Sequence, residues 1–346
     1  MNEQIITEDL QSIAARIANK DKLNGCSVLI SGVSGFIASW IVRLLLELND
    51  REHRNIQVYG LYRSEKHLQE RFGQLLQRDD VHMLRADVSQ PLMLEDRMDY
   101  IIHAASQTSP ESFRKDPVGT ALGNVTGCAN LLKYAADCKA KGFLLLSTRE
   151  IYGKAVADFV TEDDYGPLDP TAVRSCYPEG KRMAETLCAA YREQYGLDCR
   201  IARIAHCFGP GMVLSDGRVV GDFIGNTVRG EDIVMNSDGS GTLALTYVAD
   251  VAAGLMQTML DFPDFVYNVS NDASTVTVRQ LAETLCGLYP AQGAKVVIHL
   301  ADAAQKSGYL QHKVGFLQSG KAKQAGWSAS FDLESGLKRT VDYYKG

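Results

Sequence analysis

Cys26 to Ile30 is a short apolar run, Gly32-Val33-Ser34-Gly35-Phe36-Ile37-Ala38 follows it, and Phe36 to Leu48 continues with apolar residues at helical spacing. A buried strand that passes through a tight turn into a helix opens a βαβ unit, which commits the chain to a parallel sheet covered by helices. Gly32 permits the turn, Gly35 lets backbone approach a pyrophosphate, and the small Ala38 lets the helix pack closely on the strand. The helix N-terminus then presents free N–H groups and its dipole to the phosphates. A dinucleotide is the ligand that such a loop implies.

The rest of the chain keeps this alternation. Apolar runs at Ile56 to Leu61, Val81 to Leu84, Tyr100 to His103, Phe143 to Ser147 and Arg200 to Ile204 are separated by helical segments such as Gly123 to Ala136 and Pro178 to Tyr195. The pattern predicts an α/β fold, a doubly wound parallel sheet with helices on both faces. Glu8 to Ala18 carries apolar positions at helical spacing before Asn24-Gly25 breaks it, so 1–24 reads as an N-terminal helical extension packed on the outside. After Gly209-Pro210-Gly211 the composition turns to Gly- and Asp-rich loops between shorter elements. The expected organisation is a dinucleotide-binding domain over 25–210, with about 242–270 returning to it, and a smaller C-terminal substrate-binding lobe built from 211–241 and 271–346.

Charge and composition exclude several functions. With 36 Lys plus Arg against 42 Asp plus Glu, the net charge of -6 argues against nucleic acid as a partner, because phosphate backbones need a positive field. Phe36 to Leu48 is interrupted by Arg43 and is too short to span a bilayer, and the first residues lack a basic start followed by an apolar core. Neither a membrane nor a secretory leader is expected. The 8 cysteines include no Cys-x-x-Cys pair, so no metal centre is expected and reduced thiols in a cytoplasm are the reading.

Two positions bear on the cofactor. The end of the second strand, where a carboxylate would hold the free ribose hydroxyls of NAD, reads Tyr59-Gly60-Leu61-Tyr62-Arg63-Ser64. Arg63 without a carboxylate leans towards the extra phosphate of NADP. Asp87, after the third strand, stands where an adenine amino group could be met, although a solvated loop aspartate would look the same.

The chemistry is carried by Tyr177-Pro178-Glu179-Gly180-Lys181, which puts a phenol and an ammonium four residues apart on one helix face. Lys181 can lower the Tyr177 pKa, so that the phenol exchanges a proton with a substrate hydroxyl while hydride moves to nicotinamide. The spacing alone is weak, since Tyr62/Lys66 and Tyr309/Lys313 repeat it. Position favours Tyr177, which follows the strand ending in Ser147-Thr148-Arg149-Glu150-Ile151-Tyr152-Gly153, at the sheet edge where open α/β sheets bind ligands. Thr148 could bond the substrate oxygen. Glu150 could serve as acid, base or water holder, or simply as a helix-start carboxylate.

With these segments in order, the chain resembles the extended short-chain dehydrogenase/reductase superfamily and its NAD-dependent epimerase/dehydratase family, most of all the UDP-glucuronate decarboxylases. The likeness runs from about residue 25 to 270 and rests further on His103-Ala104-Ala105-Ser106-Gln107-Thr108-Ser109-Pro110, Asn124-Val125-Thr126-Gly127, Arg174 to Glu185 and Asp216-Gly217-Arg218-Val219-Val220. The resemblance implies a Rossmann domain, a tightly bound nicotinamide cofactor reduced and reoxidised within one cycle, a nucleotide-sugar substrate between the lobes and a homodimer. It implies Thr148, Glu150, Tyr177 and Lys181 as the catalytic set. The residues expected at the cofactor are Gly32, Ser34, Gly35, Phe36, Ile37, Val88, Ala104, Ala105, Ser106, Tyr177 and Lys181, together with Asp87 and with Arg63, which stands where the family carries an Asp; the resemblance favours NAD against the NADP lean of Arg63. Ser109, Arg149, His206, Arg218 and Lys313 are left for the substrate, His206 with no chemical role.

Departures from the family pattern matter as well. His206 stands where relatives carry Asn, Gly211 where an Arg is expected, and Leu243 where an Arg commonly meets the diphosphate. The expected activity is oxidation at sugar C4 followed by decarboxylation, with 4,6-dehydration or 4-epimerisation as the alternative and an NADP-dependent reductase after that. A catalytically silent NAD(P)-binding regulatory protein is the reading from another class, since fold does not fix function.

Overall fold

The computed structural model describes residues 1–299 and 315–346, apart from Met93 and Glu95. Lys313 therefore lies outside the described residues. Among the described residues the strands are β1 Ser27–Ser31, β2 Gln57–Tyr62, β3 Val81–Arg85, β4 Tyr100–His103, β5 Gly142–Thr148, β6 Phe159–Val160, β7 Cys199–Ile204, β8 His206–Phe208, β9 Ile233–Met235, β10 Thr242–Tyr247, β11 Val266–Val269, β12 Thr275–Thr277, β13 Val296–Ile298 and β14 Phe316–Leu317. The central sheet has the order β11-β7-β5-β4-β1-β2-β3. Every pairing in it is parallel. The order reverses between β1 and β4, where a crevice opens at the carboxyl ends of the strands. The apolar-run reading found six of the seven strands within a residue of their ends; it did not single out β11.

Both sheet faces are buried, and alternate residues of each strand feed different cores, as a period of two requires. Val28 and Ile30 of β1, with Leu144 and Leu146 of β5, join the core that holds α2 Phe36–Glu52 and α8 Val248–Leu260. Leu29, Phe143 and Leu145 join the other, with α5 Pro117–Asp137 and α6 Cys176–Tyr195. The N-terminal helix, α1, spans Glu3–Ala14 rather than beginning at Glu8, because the Asn2 side chain caps it by accepting the Gln4 N–H at 3.2 Å. It lies on the outside of α2 and α8, but Ile6, Leu10 and Ile13 are buried in the first core. Asp9 on the same helix is buried and pairs with Arg339 at 2.7 Å, while Tyr247 donates to it at 2.6 Å.

The C-terminal elements hang from this frame. β10 runs parallel to β8, aligning Leu245 with His206, and antiparallel to β12. The helices α7 Val219–Arg229, α9 Val278–Leu288 and α11 Leu333–Lys345 pack on one another. Their residues Ile224, Leu281 and Leu337 belong to the same continuous buried cluster as Val28 and Ile30. The C-terminal part therefore shares a core with one face of the sheet.

Candidate active site

The glycine loop is as tight as its sequence demands. Gly32 has φ +67°, and a Cβ there would stand 2.6 Å from Ala105 Cα, so the turn after β1 passes too close to the chain leaving β4 to admit a side chain. Gly35 caps α2 without a side chain of its own, which leaves the first turn of that helix facing the crevice. Beside it the Ser31 hydroxyl accepts the Ala104 and Ala105 N–H groups, each at 3.1 Å, and lies 2.8 Å from His103 Nδ1. With two donors already on the Ser31 oxygen, its proton goes to Nδ1 and the ring proton sits on Nε2. Burial pushes His103 down to about 3, so the ring stays neutral. The first turn of α2, the bare Gly32 and Gly35, and the ordered Ala104-Ala105 backbone together fit a dinucleotide.

Further along the crevice, Arg63 is exposed, and its charge reaches both Asp87 and Asp116. Asp87 already holds a turn: its Oδ1 accepts the Ser89 N–H at 2.9 Å and the Ser89 hydroxyl at 2.8 Å. Ser106 donates to Asn124 at 2.9 Å, and Gly180 of α6 passes so close that a Cβ would come within 3.2 Å of Asn124. Ser109, assigned to the substrate by resemblance, caps the short helix α4 Pro110–Lys115 by accepting the Ser112 N–H at 3.1 Å.

Tyr177 and Lys181 lie on α6, which starts two residues earlier than Pro178. Lys181 is buried and donates from Nζ to the Leu146 carbonyl of β5 at 2.8 Å; burial pulls it down to about 8. Glu185, one turn on, is not its counter-ion, because Arg203 holds that carboxylate at 2.8 Å and Ser147 donates to it at 2.5 Å. Tyr177 is buried as well. Its phenol is held above the ordinary range, first by burial and then by the Glu150 charge, with the Thr148 hydroxyl, Arg174 and Arg218 opposing. Thr148, Tyr177 and Lys181 thus converge at the end of β5.

Glu150 sits differently from a free acid or base. Arg174 pairs with its Oε1 at 2.9 Å, and its Oε2 is buried with no hydrogen-bond partner among the described residues. Arg149 is partly buried and makes no hydrogen bond or ion pair among the described residues. Its charge and that of Arg218 both bear on His206, which burial already holds well below its ordinary value and whose Nδ1 has no partner among the described residues. Arg218 is engaged with Asp216 at 2.5 Å. The groups that sequence reading left without a role are Ser31, His103, Phe113, Arg174 and Arg71. Two of them, His103 and Arg174, lie in segments that carry the family likeness, but their partners come from elements far away in the chain.

A glycine-looped parallel sheet with Tyr177, Lys181 and Thr148 at its switch-point side is the arrangement of a nicotinamide-dependent oxidoreductase-type enzyme. The chain belongs to the NAD dependent epimerase/dehydratase family, whose model matches residues 28–270. It is 36% identical over 312 residues to UDP-glucuronic acid decarboxylase 5 of Arabidopsis thaliana, covering 90% of this chain and 86% of that protein. It is 32% identical over 322 residues to UDP-glucuronic acid decarboxylase 1 of Xenopus tropicalis, covering 92% and 72%. Its fold is similar to that of UDP-glucose 4-epimerase of Thermotoga maritima, at a TM-score of 0.76 and 24% identity over 92% of this chain and 98% of that one.

Proposed function

We propose that this chain is a nucleotide-sugar enzyme that oxidises a hexose hydroxyl at C4, lets the new ketone promote a second step, and then reduces the carbon again. The observation that carries the reading is the convergence of Thr148, Tyr177 and Lys181 at the end of β5, beside the crevice of the glycine loop. A bound nicotinamide would accept and return the hydride. Tyr177 takes the hydroxyl proton as the C–H bond breaks, Thr148 holds the same oxygen, and the charge of Lys181 stabilises the phenolate. On a glucuronate, the C4 ketone makes a β-keto acid. The C5–carboxyl bond then breaks, carbon dioxide leaves, the electron pair becomes an enolate, and a proton returns to C5. The likeness to UDP-glucuronic acid decarboxylases supports that substrate class.

Arg149, His206 and Arg218 are the groups we assign to the sugar and diphosphate. The resemblance favours NAD, and Arg63 favours NADP. A homodimer belongs to the same reading: α5 packs on α6, and Val118, Leu122 and Met183 of these helices are exposed. All 8 cysteines are free, which suits a reducing cytoplasm. Mass spectrometry of ligands that copurify, followed by incubation with a panel of nucleotide sugars, tests the proposal. A protein that retains a nicotinamide nucleotide but converts none of the sugars would favour the silent NAD(P)-binding protein instead.

A further inference from the structure

Phe113 is the buried residue of α4, and two side chains from around the start of α6 pack on its ring. Tyr177 stacks on it with ring centroids 5.0 Å apart and planes 25° apart. The Arg174 guanidinium lies 4.3 Å from the same centroid, in the turn that leads into α6. Arg174 then reaches Glu150 at 2.9 Å, from the turn that follows β5. Its Nε and Nη1, and the Oε2 of Glu150, are shut off from solvent with no hydrogen-bond partner among the described residues. One cation and one anion thus face each other in a partly buried place next to the phenol, their side chains 26% and 17% exposed, with the Phe113 ring as the floor for the cation.

We propose that Arg174 is a positioning residue: held on Phe113 and paired to Glu150, it cancels the carboxylate charge beside the Tyr177 hydroxyl and so lets the phenol lose its proton. The inference rests on Tyr177 as the acid–base, and it adds a residue that acts through another. The charged groups that bear on Tyr177 are Glu150 from the end of β5, Arg174 from the turn before α6 and Arg218 from the loop before α7, while Lys181 follows one turn along its own helix with Nζ on the Leu146 carbonyl. Thr148 adds a neutral hydroxyl. Glu150 is the group that raises the phenol through its charge, and Arg174 opposes it. In a partly buried site such a charge is screened less than in bulk water, so it still acts on the phenol. Without Arg174, the lone Glu150 carboxylate would hold the phenol in its protonated form.

The test is a phenolate titration of the NAD-loaded protein by ultraviolet difference absorbance, with Tyr177→Phe subtracted so that the signal belongs to Tyr177. Arg174→Gln should move the midpoint up by about 1 to 3 pH units, the range for loss of a neighbouring opposite charge. Glu150→Gln in the Arg174→Gln background should bring it back to within about half a unit of the parent, and Arg174→Lys should stay near the parent. A merely structural arginine would not be rescued by neutralising a second residue. A midpoint in Arg174→Gln that matches the parent overturns the proposal. So does an unrescued double variant that is folded by circular dichroism. Activity of Tyr177→Phe tests the acid–base assignment by itself, so the two failures are distinguishable.

Discussion

The guanidinium of Arg71 donates to the Gly211 carbonyl at 2.6 Å, and a Cβ on Gly211 would stand 2.8 Å from its Nη1. Position 211 was read as a lost cation. The structure brings one to that place from α3 Glu65–Phe72, by a residue more than a hundred positions away in sequence. Arg71 also donates to the Ser34 carbonyl of the glycine loop at 3.3 Å, and burial holds it below its ordinary range. A half-desolvated cation satisfied, among the described residues, only by carbonyl oxygens suits a neighbouring pyrophosphate.

Arg71→Met should therefore weaken NAD or NADP binding by about tenfold or more, since a charge-assisted hydrogen bond contributes on the order of 1.5 to 3 kcal/mol. Isothermal calorimetry on the apoprotein reads this directly. An affinity unchanged in a folded variant would show that Arg71 only ties the loop to Gly211.

Tyr177→Phe should abolish turnover while leaving cofactor affinity nearly intact, because it removes the transferable proton and keeps the ring stacked on Phe113. The alkaline side of the rate profile should report Lys181. Its ammonium, held down to about 8, loses the charge that supports the phenolate as pH rises through that value. Rates that persist undiminished to pH 10 would count against Lys181 as the supporting charge.

The parallel sheet, the glycine loop and the Tyr177/Lys181 helix were legible in the sequence because each is set by local rules: strand periodicity, a turn that only glycine allows, and i to i+4 spacing on a helix. The start of α1 was missed by five residues because its decisive signal is a single capping Asn2. The roles of Arg71, Arg174 and Phe113 were invisible because nothing local distinguishes them from surface Arg or core Phe. Their meaning comes from partners on other elements, such as Glu150 for Arg174 and Gly211 for Arg71.

Asp9 offers a pH test of how α1 is held. Burial raises it from 3.8 to about 6 despite Tyr247 and Arg339, so the folded chain binds a proton there more tightly than the unfolded one. Its contribution is thus fully present below the unfolded value and is lost as pH rises from about 4 to about 6, amounting to about 2 to 3 kcal/mol. Urea midpoints measured across that window should fall with rising pH in the parent and change less in Asp9→Asn. Parallel slopes in the two proteins would rule Asp9 out as the source.

Arg63 decides the cofactor prediction. If it reads a ribose phosphate, the parent should bind NADP more tightly than NAD by about tenfold, and Arg63→Ala should level or reverse the preference. Its exposure and its reach to Asp87 and Asp116 leave it free to turn towards the crevice. Equal affinities in the parent would mean that the missing carboxylate after β2 has no counterpart in Arg63.

Turnover of UDP-glucuronate should be slow for a member of this family with these relatives. Leu243 replaces a cation and is packed against the main core from β10, where it pairs with Val276 of β12, so no positive charge stands there. Arg218 is already engaged by Asp216. Each missing charge-assisted contact weakens diphosphate binding by roughly 1.5 to 3 kcal/mol, so one uncompensated loss raises the dissociation constant about ten- to a hundredfold. Arg149, which has no partner among the described residues, is the cation left to meet an anionic sugar. If it pairs with the carboxylate, it stabilises the ground state that decarboxylation must leave, which slows loss of carbon dioxide further. Carbon dioxide release and UDP-xylose formation should therefore be weak at millimolar UDP-glucuronate, and Arg149→Ser should raise KM while raising the fraction of oxidised sugar that loses its carboxyl group. Leu243→Arg is a poor rescue, since it forces a cation against buried apolar side chains. Brisk UDP-xylose formation by the parent would show that Arg149 and Arg218 suffice for the diphosphate and that the substitutions at 211 and 243 are neutral.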